Sequence, residues 1–457
     1  MHTHALADGL RPRRSLWLSR RARWSAAIVA VLVVAVLAGA FVYRLNQRPY
    51  AFDRLSRIDT VTFPDAVDDS SIRAFLDGGR AFIGYPAADG RFQLRAVDVD
   101  EPGAAPIWTN TSLSNVESFA FARGSVVVTG APDRAGKRTI TLLNASNGVP
   151  FISFDTHVDD RWELIGKYFL RYRAADHHLV ITDVGTQKEI AKLDQPSGDH
   201  SFWLTDNWSH QQVATSVDGA VLDEPLTVDP HLVRAVADRG LEVLSLSSGK
   251  PDDSAPGIAG PEDFVYPYAE QVFVAEPGAG YRIRAHDRLK LAKTQWTWTS
   301  PDPQAKLEHL AACGERRICA VEQGRVTALD IRTGKVEFRV DVDGARTLLP
   351  VGDRLMLRDA GGALLLDAAG HVVRRWPGKR AARLDDGSYL LLPVDVPAGP
   401  FPLLGVQADS GATRDLGDID VALETCTWSH TYLACAAEVP GRFVFYRVRT
   451  PWYSGRL

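Results

Sequence analysis

Cysteine is sparse in this sequence, with four among 457 residues and no two of them adjacent. Four cannot make a disulfide-dense scaffold. Lysine is scarce as well. Ten lysines stand against 42 arginines, which with abundant alanine indicates a GC-rich genome and a bacterial source. The nucleophile elbow (Gly-x-Ser-x-Gly), the phosphate loop, His-Glu-x-x-His and the EF-hand loop are missing. With them go the simplest signatures of serine hydrolysis, nucleotide binding, zinc peptidase chemistry and calcium sensing. Helical periodicity is also nearly missing, and residues 229–238 (DPHLVRAVAD) offer a short helix at most.

The balance that remains is globular, with 45% apolar and 24% charged residues. The net charge of −4 conceals a split. Residues 1–43 carry Arg11, Arg13, Arg14, Arg20, Arg21 and Arg23 against Asp8, or +5. The rest carries 46 basic and 55 acidic groups, or −9. An acidic body lacks the clustered cations that bind phosphate backbones, so no nucleic-acid partner is expected.

Residues 25–43 (SAAIVAVLVVAVLAGAFVY) run without a charge. At a rise of about 1.5 Å per residue, a helix there spans roughly 28 Å, close to the thickness of a bilayer core. Arginines precede it, and Trp17 and Trp24 suit the headgroup level. The expectation is a single transmembrane helix at 25–43 anchored in the lipid bilayer, a basic cytoplasmic tail at 1–24 and an extracytoplasmic body at the cell membrane. A cleaved signal peptide is the rival, since Ala38-Gly39-Ala40 has the small-x-small form of a cleavage site. Ser19-Arg20-Arg21 only partly fits a twin-arginine signal, because Arg23 stands where an apolar residue belongs. Either rival delivers the body to the same side of the membrane.

After a polar tether at 44–57, the pattern turns to short strands, as at 81–85, 125–129, 168–172, 271–275 and 389–392. One slot recurs. It is clearest at residues 326–338 (VTALDIRTGKVEF), where a strand, a turn from Asp330 to Gly334 and a second strand follow in order. The residues that open the equivalent turns are Asp98, Asn144, Asp183, Ser245, Asp287, Asp330, Asp367 and Gln407. They are separated by 46, 39, 62, 42, 43, 37 and 40 residues. About 40–50 residues make one four-stranded propeller blade. The step of 62 assigns an insertion to residues 220–240. An Asp or Asn opening such a turn caps backbone N–H groups, and the glycine supplies a positive φ. Large aromatics just beyond the turn, Phe338, Trp108 and Trp296, are placed to wedge neighbouring blades. Residues 424–449 add three strands with no outer partner, and the lone strand at 58–63 could complete them and close the ring. The fold expected is all-β, a propeller of about eight four-stranded blades, give or take one, over residues 58–449, with a tail at 450–457. The turns and the closing strands make nine candidate units, above the usual range of about four to eight, and the weakest, near residues 201–250, is the one discounted.

Ala328, Asp330, Thr333, Gly334 and Phe338 together resemble the tryptophan-docking repeat of the pyrroloquinoline-quinone (PQQ)-like β-propellers, with Phe in place of the terminal Trp. One copy is a good match and seven are partial. The resemblance implies a propeller, commonly eight-bladed. It also raises the possibility of a quinoprotein dehydrogenase, whose sites carry a vicinal Cys-Cys disulfide and calcium ligands; no adjacent cysteines exist in this chain.

Cys313 and Cys319 are six apart, Cys426 and Cys435 nine apart, and each pair falls in the first hairpin of its repeat. Disulfides Cys313–Cys319 and Cys426–Cys435 are expected, in an oxidising exterior. Structural zinc and free buried thiols are the other readings. Asp176-His177-His178 offers metal-ligand types but falls between two strands, as a solvated turn would. Asp98-Val99-Asp100-Glu101 and Asp341-Val342-Asp343-Gly344 alternate oxygens as a calcium site does, yet sit at a repeat turn and a strand end. Gly278-Ala279-Gly280 reads as a turn. Trp203, Trp208, Trp428 and Tyr432 fit either an aromatic binding face or packing between blades. No catalytic residue, metal or cofactor is assigned. The expectation is a non-enzymatic protein-binding or scaffold module at the cell envelope, with 220–240 as its recognition element. A PQQ dehydrogenase and a carbohydrate-binding protein are the alternatives.

Overall fold

A computed structural model describes residues 52–448 except 68–72, 123, 196–201, 205–230, 237, 346, 385–387, 395–398, 422–424, 430, 438 and 440. The transmembrane expectation at 25–43, the tail at 450–457 and Trp208 lie outside the described residues. Among the described residues no helix is long and apolar enough to cross a membrane.

The described strands form nine four-stranded antiparallel sheets. Eight are consecutive in the chain: blades 1 to 8 occupy residues 73–114, 116–157, 161–194, 202–255, 264–299, 307–341, 347–377 and 379–419. Blade 9 takes its first three strands from Cys426–Trp428, Tyr432–Ala436 and Arg442–Arg447, and its outer strand from Ser56–Thr62. The protein is a nine-bladed β-propeller, one blade above the expected eight. The ninth unit was discounted because nine blades exceed the usual range and the fourth unit is irregular. Its first strand, Phe202–Leu204, is only three residues long, and residues 205–230 separate it from the second.

The second strand of each blade alternates between the two neighbouring blades, which is why both its faces are apolar. Leu232 packs toward blade 3 and Val233 toward blade 5, and both are fully buried. They lie on His231–Val236, a strand where the sequence suggested a short helix. Burial on both sides selects the two-residue period over the helical one. Among the described residues the apolar core divides into nine buried clusters, and each joins one pair of adjacent blades, including blade 9 to blade 1. Nine interfaces for nine blades is the signature of a closed ring.

Closure is the work of residues 52–67, which cross three blades. Phe52 is buried between blades 8 and 9, and Leu55 N donates to Leu416 O at 2.7 Å. Ser56–Thr62 then pairs with the third strand of blade 9, from Ser56 opposite Arg447 to Thr62 opposite Arg442. Phe63 N donates to Gly441 O (2.9 Å) and Val67 N to Pro86 O on blade 1 (3.0 Å). Residues 52–57, assigned to the tether from sequence, are thus part of the ring.

Within a blade, the turn between strands one and two lies beside the turn between strands three and four. Backbone bonds such as Val99 N to Gly79 O (2.9 Å) and Ile331 N to Arg316 O (3.0 Å) tie them together. The turns between strands two and three share the opposite face with the connections between blades, as Ala259 N to Arg239 O (3.0 Å) shows.

Both disulfides are present, each closing the first hairpin of its blade. Cys426 and Cys435 face each other directly in register, and all four cysteines are at most 1% exposed. Loops this short stabilise by about 2–3 kcal/mol each in the chain-entropy picture. Because the sulfurs are buried, the native protein is expected to keep both bridges in dithiothreitol and to lose them only in denaturant. Alkylation followed by mass measurement checks this, and thiols labelled under native conditions would count against it.

Candidate functional site

The repeat slot is a docking device. Asp330 Oδ1 accepts from Arg332 N (3.1 Å), Thr333 N (2.9 Å) and Thr333 Oγ1 (2.8 Å), and Gly334 closes the turn at φ +68°. On this turn rests Trp296 of the preceding blade, whose Nε1 donates to Ile331 O at 2.8 Å. Trp108 of blade 1 does the same in blade 2, lying on Gly148 and donating to Ala145 O at 2.9 Å. Phe338 of blade 6 covers Gly370 of blade 7. The alanine of the repeat has its reason across the sheet, where a small side chain makes room for the wedge. Ala328 stands opposite Phe338, Ala96 opposite Trp108 and Ala285 opposite Trp296.

Gly334→Ala is therefore expected to destabilise by about 2–4 kcal/mol, combining a left-handed alanine with displacement of the indole. A Cβ there would sit 2.5 Å from Trp296 Cε3. Chemical denaturation checks it, and a change under 1 kcal/mol (on the order of an ordinary surface substitution) would contradict it.

The other sequence candidates are spent on structure. Asp98 Oδ1 caps Asp100 N (2.9 Å), while the Asp100 carboxylate takes the Tyr432 hydroxyl (2.9 and 3.0 Å) and Arg447 across the blade 9–blade 1 seam. Burial and then Asp100 push the Tyr432 phenol up to about 12, against the opposing charge of Arg447. Asp341 pairs with Arg325 at 3.0 Å. Asp176 pairs with Arg173 (2.7 Å), His178 with Asp194 (3.0 Å), and His177 Nδ1 contacts the Tyr172 hydroxyl (2.7 Å). Among the described residues no group of three His, Cys, Asp or Glu is placed to hold a metal ion. Trp428 and Tyr432 are buried, and Trp203 packs against the blade 4–blade 5 core, so these three do not form an exposed aromatic face.

One concave feature lies on the face of the strand-two-to-three turns, between blades 4 and 5. It is a cavity of about 720 Å³ whose lining includes Arg239, Glu262, Asp263, Glu276, Arg282 and Arg284. The size falls within the usual range for ligand sites. Its walls come from three turns. Asp238 and Arg239 both adopt φ +57°, which aims Arg239 across Gly260. Gly260 N donates to Asp263 Oδ2 at 2.6 Å, fixing the connection between the blades. The hairpin around Gly278-Ala279-Gly280, read from sequence as a turn, supplies the third wall. There Glu276 bridges two guanidiniums, with Arg284 at 2.5 Å and Arg282 Nε at 2.8 Å. Burial works to raise the Glu276 carboxyl, but hydrogen bonding from Arg282 and the charges of both arginines hold it below the ordinary range. The ion-paired form is thus stabilising above the ordinary glutamate pKa and is lost as pH falls through the lowered value. Arg284 also donates to Ile258 O (2.6 Å), while Arg239 has no ion-pair partner among the described residues.

No protein-family model matches the sequence, and no curated protein does. Solved structures similar in fold include one described as the eukaryotic initiation factor, at TM-score 0.51 and 12% identity over 81% of this chain and 91% of that one. BamB from Moraxella catarrhalis aligns at TM-score 0.41 and 11% identity over 86% and 99%. The C-terminal WD40 domain of Sif2 does so at 0.41 and 11% over 88% and 100%. At these identities the likeness is one of fold alone.

Proposed function

We propose that this chain is a non-enzymatic scaffold that holds a protein partner at the outer side of a cytoplasmic membrane, anchored through residues 25–43. The observation that carries the reading is the closed ring. Nine packed interfaces hold the turns of nine blades rigidly around one face, and that face carries a polar cleft between blades 4 and 5. Such a surface recognises polypeptide better than it performs chemistry, since Asp98, Asp100 and Asp330, among the carboxylates that sequence singled out, are bound into turns and a seam. Two buried disulfides suit an oxidising compartment.

The PQQ-dehydrogenase alternative is not favoured. Its vicinal disulfide has no counterpart, because all four cysteines are used in bridges six and nine residues apart. The scaffold reading is tested by crosslinking mass spectrometry on intact cells. Adducts to an envelope protein, with the propeller reached by membrane-impermeant reagents, are expected. Adducts confined to cytoplasmic proteins would overturn it.

A further inference from the structure

The geometry points to a proton-operated latch in the seam between blades 4 and 5, where His231 of blade 4 binds Arg288 of blade 5 only while its imidazole is neutral. The readout is the seam itself and needs no partner, so the latch stands or falls apart from the scaffold reading.

His231 opens the second strand of blade 4 and is 8% exposed. Its Nε2 lies 3.1 Å from the carboxylate of Asp252, on the outer strand of the same blade. Its Nδ1 lies 3.2 Å from Arg288 Nη1. Arg288 stands on the turn between strands three and four of blade 5 and is anchored there. Its backbone N donates to Glu270 O at 2.9 Å and its Nη2 to Glu270 Oε2 at 2.8 Å, across the paired turns of that blade. A guanidinium only donates, and it stays charged throughout the pH range of folded proteins. The ring nitrogen facing it must therefore present a lone pair. The latched imidazole is the neutral tautomer whose proton points at Asp252. That assignment holds whichever way the ring is turned.

Protonation exchanges one partner for another. A second N–H then points at the guanidinium, so two like charges meet and the bond between blades cannot form. The imidazolium binds Asp252 more strongly at the same time, within blade 4. Glu270 keeps Arg288 on blade 5, and the two halves of the latch part. The groups that face the ring decide this. From blade 4 they are Asp252 and, opposite in register, Ser245; from blade 5 they are Arg288 with Glu270 behind it. Asp253 crosses the seam separately and accepts from Leu291 N at 2.6 Å.

Histidine is the side chain whose charge ordinarily changes between about pH 5 and 8. A second imidazole lies in this seam, that of His286 of blade 5, fully buried with Nδ1 2.6 Å from Leu291 O. Burial holds it below the ordinary histidine range, so the stability it contributes is present above that range and is lost as pH falls through the lowered value. Its response to acid does not require residue 231, which lets a variant tell the two apart.

The test is hydrogen exchange on the full chain in non-ionic detergent at about pH 7.5 and about pH 5.5, on either side of ordinary histidine titration, corrected for the intrinsic effect of pH on exchange. The Leu291 amide, bonded across the seam to Asp253, reports the latch, and the Ile331 amide, bonded to Arg316 O within blade 6, is the reference. Acid is expected to lower protection at Leu291 about tenfold relative to Ile331, as loss of one hydrogen bond to a charged group would. His231→Gln can donate to Asp252 and accept from Arg288 without titrating, so its protection should be the same at both pH values. Arg288→Gln leaves the protonated ring no cation to oppose and should also remove the pH dependence. Equal protection at both pH values in the parent, or an acid-induced loss that persists undiminished in His231→Gln or in Arg288→Gln, would overturn the latch.

Discussion

Replacing Phe63 by alanine is expected to destabilise the ring by about 3–5 kcal/mol, the cost of emptying a buried aromatic site. Phe63 is 7% exposed and sits where the closing segment passes from blade 9 to blade 1. Its ring stacks on Tyr85 (centroids 4.9 Å apart, planes at 16°), meets Phe443 edge-on at 6.0 Å and carries the Arg95 guanidinium at 4.7 Å. Removing it leaves a void walled by both blades of the seam and deprives Arg95 of its cation–π partner. Each blade buries too little by itself, so stability is shared around the ring and a weakened seam is felt by the whole body. Loss of stability should appear as one cooperative transition at lower denaturant. A variant as stable as the parent would mean that residues 52–67 do not close the ring.

Deleting residues 220–240 is expected to abolish folding, whereas replacing residues 205–230 by a short Asn-Gly turn should leave the propeller intact. Residues 231–236 are the second strand of blade 4, paired on one side with Phe202–Leu204 and on the other with Gly240–Ser245. Losing that strand removes Leu232 and Val233 from two interfaces at once and takes the Asp238–Arg239 turn with it. The 205–230 excision begins after Leu204, which stands opposite Leu232, so the two strand ends are already neighbours and a tight turn can join them. Circular dichroism and thermal melting distinguish the variants. If both fold, blade 4 does not need the strand. If the folded 205–230 variant loses the cellular partner, recognition involves that segment as well as the cleft.

The repeat was legible because it is local. An Asp or Asn opening a turn and a glycine closing it lie four residues apart, as at Asp330 and Gly334, and their spacing along the chain measured the blades. Closure was legible for a similar reason, since three strands at the end lacked a partner and one strand near the start was spare. Blade 4 was seen through its Ser245 turn but discounted, because nine units exceed the usual propeller size and its short first strand and the long stretch before its second break the period. The cleft was not legible. Arg239 and Glu276 are brought together by packing of blade 4 on blade 5, and no spacing rule links the turn of one blade to the hairpin of the next. Nor could sequence show that Asp100 would accept from the Tyr432 hydroxyl, 332 residues away. What the sequence offered at the cleft was Gly278-Ala279-Gly280, a turn signal that said nothing of its neighbours.

Site-specific photocrosslinking in living cells tests the central claim most directly. A photoreactive residue replaces Glu262 at the cleft in one strain and Lys335, on the opposite face, in another. An adduct to one envelope protein is expected from position 262 and none from position 335. Adducts of equal yield from both positions, or none from 262 with the protein present and folded, would contradict it.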